Sequence, residues 1–291
     1  MTDIGVIFTP TRPPEQLREF VIEAERLGLD EVLLFEDCFR ESGLAAAVAA
    51  LAATERIRVG IGVLPMPFRN VALLAMEVAT IERLFPGRLR LGVGHGVQDW
   101  MAQVGARPAS PLTLMREYVP ALRRLLAGER VDASGRYVTL DGVQLDWPPA
   151  APVAVWAAGE GPKTLALTGE VADGTIFTTG TPPETLAAGV ELIAEGRRTA
   201  GRGGTQPIAA FVMTAFGEGS AGRLEVELAE WGYQGERATG ATGTVDEVAD
   251  QVQGWVDAGA DAVLLQPLND ETDLDGFLAN CAQVAARLRA R

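Results

Sequence analysis

His95 is the only histidine in the chain, and it lies between glycines in the run Gly92-Val93-Gly94-His95-Gly96. A lone imidazole there can contact a ligand or hold a proton, and it can equally be a turn residue satisfied by nearby carbonyls. Asp37 and Cys38 follow the apolar segment Glu31–Phe35, and Asp99 follows His95 by four residues. Asp37 could be a helix cap, a buried acceptor or a partner for a heterocycle's N–H. Cys38 is either an inert, partly buried thiol or a nucleophile, and no second histidine is available to activate it. His95 or Asp99 could supply a proton; with Cys38 they form the set of candidate catalytic residues. The turn Ala158-Gly159-Glu160-Gly161-Pro162 precedes a helical pattern, so its backbone N–H groups could face a phosphate. Glycine turns before helices also occur without any ligand. The two cysteines, Cys38 and Cys281, are far apart, and no His/Cys cluster has metal-site spacing, so we expect free thiols and no metal.

Chemistry at these positions requires a scaffold that gathers strand ends. The stretch from Arg56 to Gly96 reads as strand, loop, helix, strand and glycine-rich turn. Ile57–Val63 mixes β-branched residues with glycine, as suits a strand buried on both faces. Pro65 and Pro67 bar a helix until Asn70 can cap one, and Val71–Leu84 then shows apolar three- and four-residue spacing. Further strands are predicted at Ile4–Phe8, Glu31–Phe35, Arg88–Val93, Val153–Ala157, Thr175–Thr178, Ile208–Thr214 and Ala262–Gln266. Helical patterns alternate with them, at Pro14–Leu27, Gly43–Thr54, Leu112–Leu126, Lys163–Val171, Pro183–Ala200, Val245–Ala258 and Leu274–Arg289. Arg130–Leu145 reads as a small β excursion, Gln98–Pro111 as a loop, and Gly217–Thr242 as an insertion with one short helix.

Eight strands alternating with about eight helices predict an α/β (β/α)8 TIM-type barrel with insertions after strands 4 and 7. An open doubly wound sheet would carry a glycine-rich loop after its first strand, where this chain has Thr9-Pro10-Thr11-Arg12. In such a barrel the residues just past each strand share one rim, here Thr9, Glu36 to Cys38, Leu64-Pro65, His95-Gly96, Ala158 to Gly161, Thr178-Thr179 and Gln266. No linker divides the chain, so residues 1–291 are expected to form one domain. A formal net charge of −14 argues against nucleic acid and anionic membrane surfaces as partners. No basic segment followed by a long apolar run opens the sequence, and no apolar stretch reaches membrane-spanning length, so a cytoplasmic protein is expected.

The segments Leu34–Phe39, Gly60–Pro67, Glu77–Leu84 with Pro86-Gly87-Arg88, Leu91–Gly96 and Gly159–Gly174 resemble the bacterial luciferase-like flavin-dependent oxidoreductases. The resemblance runs from about residue 3 to 266. It is closest to the branch using deazaflavin (coenzyme F420), which includes methylenetetrahydromethanopterin reductases and deazaflavin-dependent glucose-6-phosphate dehydrogenases. It implies a TIM-type barrel holding coenzyme F420, or alternatively FMN, at the C-terminal rim. Asp37 would meet the pyrimidine edge, and a non-prolyl cis peptide at Gly62–Val63, followed by Pro65, would bulge against the central ring. Gly94, His95 and Gly96 and the run Ala158, Gly159, Glu160, Gly161 and Pro162 would line the tail and phosphate. The family's pairing through helices beside strands two and three implies a homodimer, consistent with the Ala-rich run Leu44–Ala53.

Departures from the branch narrow the chemistry. Cys38 stands where the sugar-phosphate dehydrogenases carry a catalytic histidine, and Val97 where they carry an acid. The lysines that hold sugar phosphate have no counterpart, since Lys163, the only lysine, lies in the cofactor turn. Alcohol oxidation of that kind is not expected. Two mechanisms remain compatible with a small-molecule substrate: hydride transfer from the deazaflavin C5 to an activated double bond or imine, or oxygenation through a reduced FMN and O2. A non-catalytic flavin-binding protein is the third reading. Arg12, Arg40 and Arg69 are candidates to offset the acidity of the chain near an anionic cofactor.

Overall fold

The computed structural model describes residues 2–237 and 239–291, and side chains at all of these except Glu236. Its strands and α-helices follow one another as β1 Asp3–Phe8, α1 Leu17–Arg26, β2 Glu31–Leu34, α2 Gly43–Ala52, β3 Arg58–Pro65, α3 Val71–Leu84, β4 Leu89–Gly94, α4 Gln98–Gln103 and α5 Pro111–Leu126. A hairpin comes next, β5 Val131–Ser134 and β6 Thr139–Val143. Then follow β7 Val155–Ala158, α6 Pro162–Val171, β8 Gly174–Phe177, α7 Pro183–Thr199, β9 Ile208–Phe216, α8 Ser220–Glu230, β10 Ala241–Gly243, α9 Val245–Asp257, β11 Ala262–Pro267 and α10 Leu274–Arg289.

Eight parallel strands close into a barrel in the order β1-β2-β3-β4-β7-β8-β9-β11, with β11 returning to β1 through pairs such as Gly5–Leu264. This is the TIM-type fold expected from the alternation of strands and helices. Alternation within each strand divides the core. Ile7, Leu33, Trp156, Ile176, Phe211 and Leu264 fill the barrel interior, while neighbours such as Val6, Phe8, Val32 and Leu34 pack outward against the helices.

Helix ends follow local sequence where a cap exists. Asn70 accepts from the Ala72 N–H at the start of α3, and Thr244 with Glu247 forms a capping box on α9. Two elements differ from expectation because no such signal marks them. The expected loop after β4 contains α4, which starts at Val97 without a side-chain cap and is only six residues long. The insertion after β9 holds, besides α8, the short strand β10, which exists by pairing with the end of β9 at Ala241–Thr214 to Gly243–Phe216. The β excursion is an antiparallel hairpin outside the barrel, as its turn residues imply.

Charges seal the N-terminal end of the barrel. Glu31 is fully buried, and Arg90 donates to it from Nε at 2.9 and 2.8 Å and lies 2.7 Å away through its terminal nitrogen. The Arg90 guanidinium also stacks 4.2 Å above the Trp156 ring. Arg58, paired with Asp3, is a more distant partner of Glu31 at 3.7 Å. Removing one member of such a pair strands the other in low dielectric. Arg90→Leu is therefore expected to lower the unfolding free energy by about 3 kcal/mol, read from the midpoint of chemical denaturation; an unchanged midpoint would argue against a buried pair.

Candidate functional site

A cavity of about 520 Å³ opens at the C-terminal end of the barrel strands, a size that suits a cofactor or drug-sized ligand. β2, β3, β4 and β7 are consecutive neighbours in the barrel, and their ends bring together most of the residues the sequence singled out. Asp37 follows β2, Gly62, Val63 and Pro65 come from β3, Gly94, His95 and Gly96 from the end of β4, and Ala158, Gly159, Glu160 and Gly161 from the turn after β7. All of these line the cavity.

The β3 wall is made of backbone. The Gly62–Val63 peptide is cis, at the position the family resemblance implied, and the register between β3 and β4 slips by one residue between Ile61 and Leu64. A Cβ on Gly62 would approach Phe211 Cζ to 2.7 Å, so the chain has room there only for glycine. The Cys38–Phe39 peptide beside Asp37 is also cis. Gly96 adopts φ +68°, a left-handed conformation suited to glycine, and so turns the chain away from β4 directly after His95.

Electrostatics single out Asp37 and His95. Burial raises the Asp37 carboxyl to about 6, with Glu41 adding to the rise and Arg40 opposing it. Burial also lowers the pKa of His95, which favours a neutral imidazole, and neither ring nitrogen has a hydrogen-bond partner in the structure. Orphaned buried nitrogens on a cavity wall mark a place where a ligand's polar atom can go. The turn after β7 adds a different feature. Gly161 caps α6 with no side-chain acceptor, and a Cβ on Gly161 would meet nothing within 4 Å, so an anion could approach this helix end unobstructed. Glu160 is held by the Thr178 hydroxyl at 2.6 Å and by Arg237 at 3.3 Å.

Three expected residues are not brought to the cavity. Cys38 lies off its wall, and burial together with Glu36 and Asp37 raises its thiol pKa, so the nucleophilic thiolate is disfavoured. Asp99 is exposed on the first turn of α4, where Gln98 and Trp100 on either side line the cavity and Asp99 does not. Pro162 sits inside the first turn of α6 and has no N–H to donate to a phosphate. The arginines also divide. Arg69 is bonded to Glu36 through both terminal nitrogens and lies 3.4 Å from Glu77, and Arg12 donates to the Leu268 and Glu271 carbonyls. Arg40 alone of the three lines the cavity, donating to the Pro10 carbonyl at 2.9 Å.

Other cavity residues carried no signal in the sequence. Phe35 and Phe211 pack with ring centroids 5.7 Å apart, and Met213, Trp231 and Tyr233 come from β9 and the insertion after it. The tryptophans divide: Trp100 walls the cavity, whereas Trp156 is buried inside the barrel beneath Arg90. Among the described residues no group of three or more His, Cys, Asp or Glu side chains could hold a metal ion, and no helix is long and apolar enough to cross a membrane.

Residues 2–238 match the family model of the luciferase-like monooxygenases. The 5,10-methylenetetrahydromethanopterin reductase of Methanolobus tindarius is 32% identical over 199 residues, covering 68% of this chain and 60% of that protein. An F420-dependent glucose-6-phosphate dehydrogenase of Nocardia farcinica is 33% identical over 204 residues, covering 65% of this chain and 61% of that protein. The matched stretches thus span about three fifths of these relatives. Among solved structures, the coenzyme F420-dependent tetrahydromethanopterin reductase of Methanopyrus kandleri superposes with a TM-score of 0.83 at 18% identity over 97% of both chains. An F420-dependent secondary alcohol dehydrogenase, solved with an F420–acetone adduct, superposes with a TM-score of 0.87 at 22% identity over 99% of both chains. At those identities the superpositions speak to the fold. With most of its length matched by the family model, the chain belongs to the luciferase-like monooxygenase family.

Proposed function

We propose that this protein is a deazaflavin (coenzyme F420)-dependent oxidoreductase that transfers a hydride between the cofactor and a small-molecule substrate. One observation carries the reading. On four neighbouring strands, the desolvated carboxyl of Asp37, a wall of backbone at Gly62–Val63, the unpartnered His95 and an open helix end at Gly161 line one cavity. These donors and acceptors fit a flat heterocycle with a polar edge and an anionic tail. The F420-dependent relatives, at about a third identity, support deazaflavin over FMN.

When bound, the deazaflavin supplies a carbon, C5, that gives or takes the hydride. The protein's own residues bind and orient. Asp37, as carboxylate, would accept from the N–H of the pyrimidine edge, and Gly62, which has no side chain, would let a ring approach the backbone of β3. His95, held neutral by burial, offers one N–H donor and one acceptor to a polar atom of the substrate or cofactor. The Ala158–Gly161 turn and the first turn of α6 would meet the anionic tail, with Lys163 on that turn and Arg237, paired with Glu160, as the cations tied to it. Residues 1–291 act as one unit in this reading, and we place a homodimer contact on α2 and α3, whose outer faces expose Val48, Leu73 and Met76.

The direct test is equilibrium binding of oxidised and reduced deazaflavin and of FMN by fluorescence quenching. Deazaflavin is expected to bind at least about tenfold more tightly than FMN, a difference of ~1.4 kcal/mol. The reverse order would move the chain to the oxygen-using readings, and binding of neither would overturn the cofactor site. Asp37 sets the pH dependence. Above about 6 its carboxylate accepts a hydrogen bond, and below that value the protonated form no longer presents a full acceptor. Deazaflavin affinity should therefore fall as pH drops through 6, and in Asp37→Asn it should be weaker and lose the fall that Asp37 causes. Because His95 is the only histidine, its ring C–H signals in a proton NMR titration need no assignment. They should titrate below 6.5 and shift on adding oxidised deazaflavin; an ordinary pKa or unmoved signals would remove His95 from the site.

A further inference from the structure

The cavity has a second half that the cofactor reading leaves unused. Across from β3, its wall is built from Met213 of β9 and from Trp231 and Tyr233 of the insertion, and α4 and its lead-in bring Val97 and Trp100 to the mouth. Val97 and Trp231 are 49% and 48% exposed, a large apolar surface left open to solvent at the entrance of a cavity. Tyr233 is fixed in place. Its ring lies against Gly180, where a Cβ would come within 3.0 Å of Cδ1 and Cε1, and the Arg237 guanidinium stacks on it at 4.9 Å.

Charge on this cavity runs the other way. Among the described lining residues Arg40 is the one cation; its charge is set against the Asp37 carboxyl, and one of its nitrogens donates to the Pro10 carbonyl. The carboxylates Glu36, Asp37 and Glu160 also line it, Glu36 paired with Arg69 and Glu160 with Arg237. An anionic substrate entering here would lose hydration and find no uncommitted cation in return, a cost that a neutral molecule does not bear. Flat aromatic walls favour flat partners, because stacking on Trp and Tyr rewards ring area.

We propose that this half of the cavity is the substrate chamber and that it selects uncharged, ring-bearing apolar molecules, held chiefly by Trp231 at the mouth, and excludes phosphorylated or carboxylated ones. The assignment rests on the deazaflavin reading, which gives the opposite half to the cofactor.

The matched probes are 2-acetylnaphthalene, neutral and planar, and 2-naphthoate, of nearly the same shape but anionic. Isothermal titration on the full chain, with and without saturating oxidised deazaflavin, compares them in wild type, Trp231→Ala and Trp231→Phe. Trp231 is half exposed just past the end of α8, so its truncation leaves the core untouched, which circular dichroism checks. The ketone is expected to bind at least about tenfold tighter than the carboxylate. Trp231→Ala should lose about tenfold in ketone affinity, Trp231→Phe should restore most of it, and deazaflavin affinity should be equal in all three. Equal or tighter binding of 2-naphthoate, no ketone binding, or no effect of Trp231→Ala overturns the chamber and leaves the cofactor site standing. Trp231-dependent ketone binding in a protein that takes up no deazaflavin supports the chamber and sinks the deazaflavin reading instead.

Discussion

The buried ion pair between Glu36 and Arg69 is the contact on which the geometry of the cavity depends. Glu36 lies two residues past β2, accepts from the Gly43 N–H at 2.8 Å to hold the start of α2, and receives both terminal nitrogens of Arg69. Arg69 lies in the proline-rich segment after β3, and its own carbonyl accepts from the Tyr118 hydroxyl of α5 at 3.1 Å. One pair thus ties two adjacent strand ends to two helices. A bidentate pair out of solvent fixes orientation as well as distance. Asp37, the next residue along, is held where it is desolvated and has no basic partner as close as Glu36 has.

That placement explains the division of charge around the cavity. Arg69 is consumed in structure, burial outweighs Arg40 so that Asp37 keeps a raised pKa, and His95 finds no carboxylate to hold its ring. Functional sites tend to be places where local satisfaction is left incomplete, because a ligand completes it. Gly62 and Gly96 complete the arrangement by removing side chains where a ring system must meet backbone. The opposite wall follows a different logic, with aromatic bulk delivered from an insertion that the barrel itself does not need.

Much of the architecture was legible from the sequence because its signals are local. Asn70 and the spacing after it gave α3 with both ends correct, and the strand ends put His95, Gly96 and Ala158 on one rim, with Gly62 and Gly94 added by the family resemblance. Cys38 and Asp99, candidates by their nearness to strand ends, lie off the cavity wall for a shared reason. Neighbourhood in sequence says which residues follow a strand, but the local turn decides which of them faces inward. At Asp99 the turn is an uncapped six-residue helix, and at Cys38 it is a turn closed by the Arg40 N–H donating to the Asp37 carbonyl at 2.9 Å.

The sequence by itself determined the barrel, the glycine and carboxylate positions of its C-terminal rim and, through its motifs, the family. Period-two and helical patterns, caps and glycine turns are properties of a few adjacent residues. Only the tertiary structure decided that Arg69 is spent on Glu36, that His95 is left without a partner, and that Trp231 and Tyr233 share a cavity with Asp37. Desolvation and pairing depend on residues tens to hundreds of positions apart, and chain closure into a barrel is what brings them within reach.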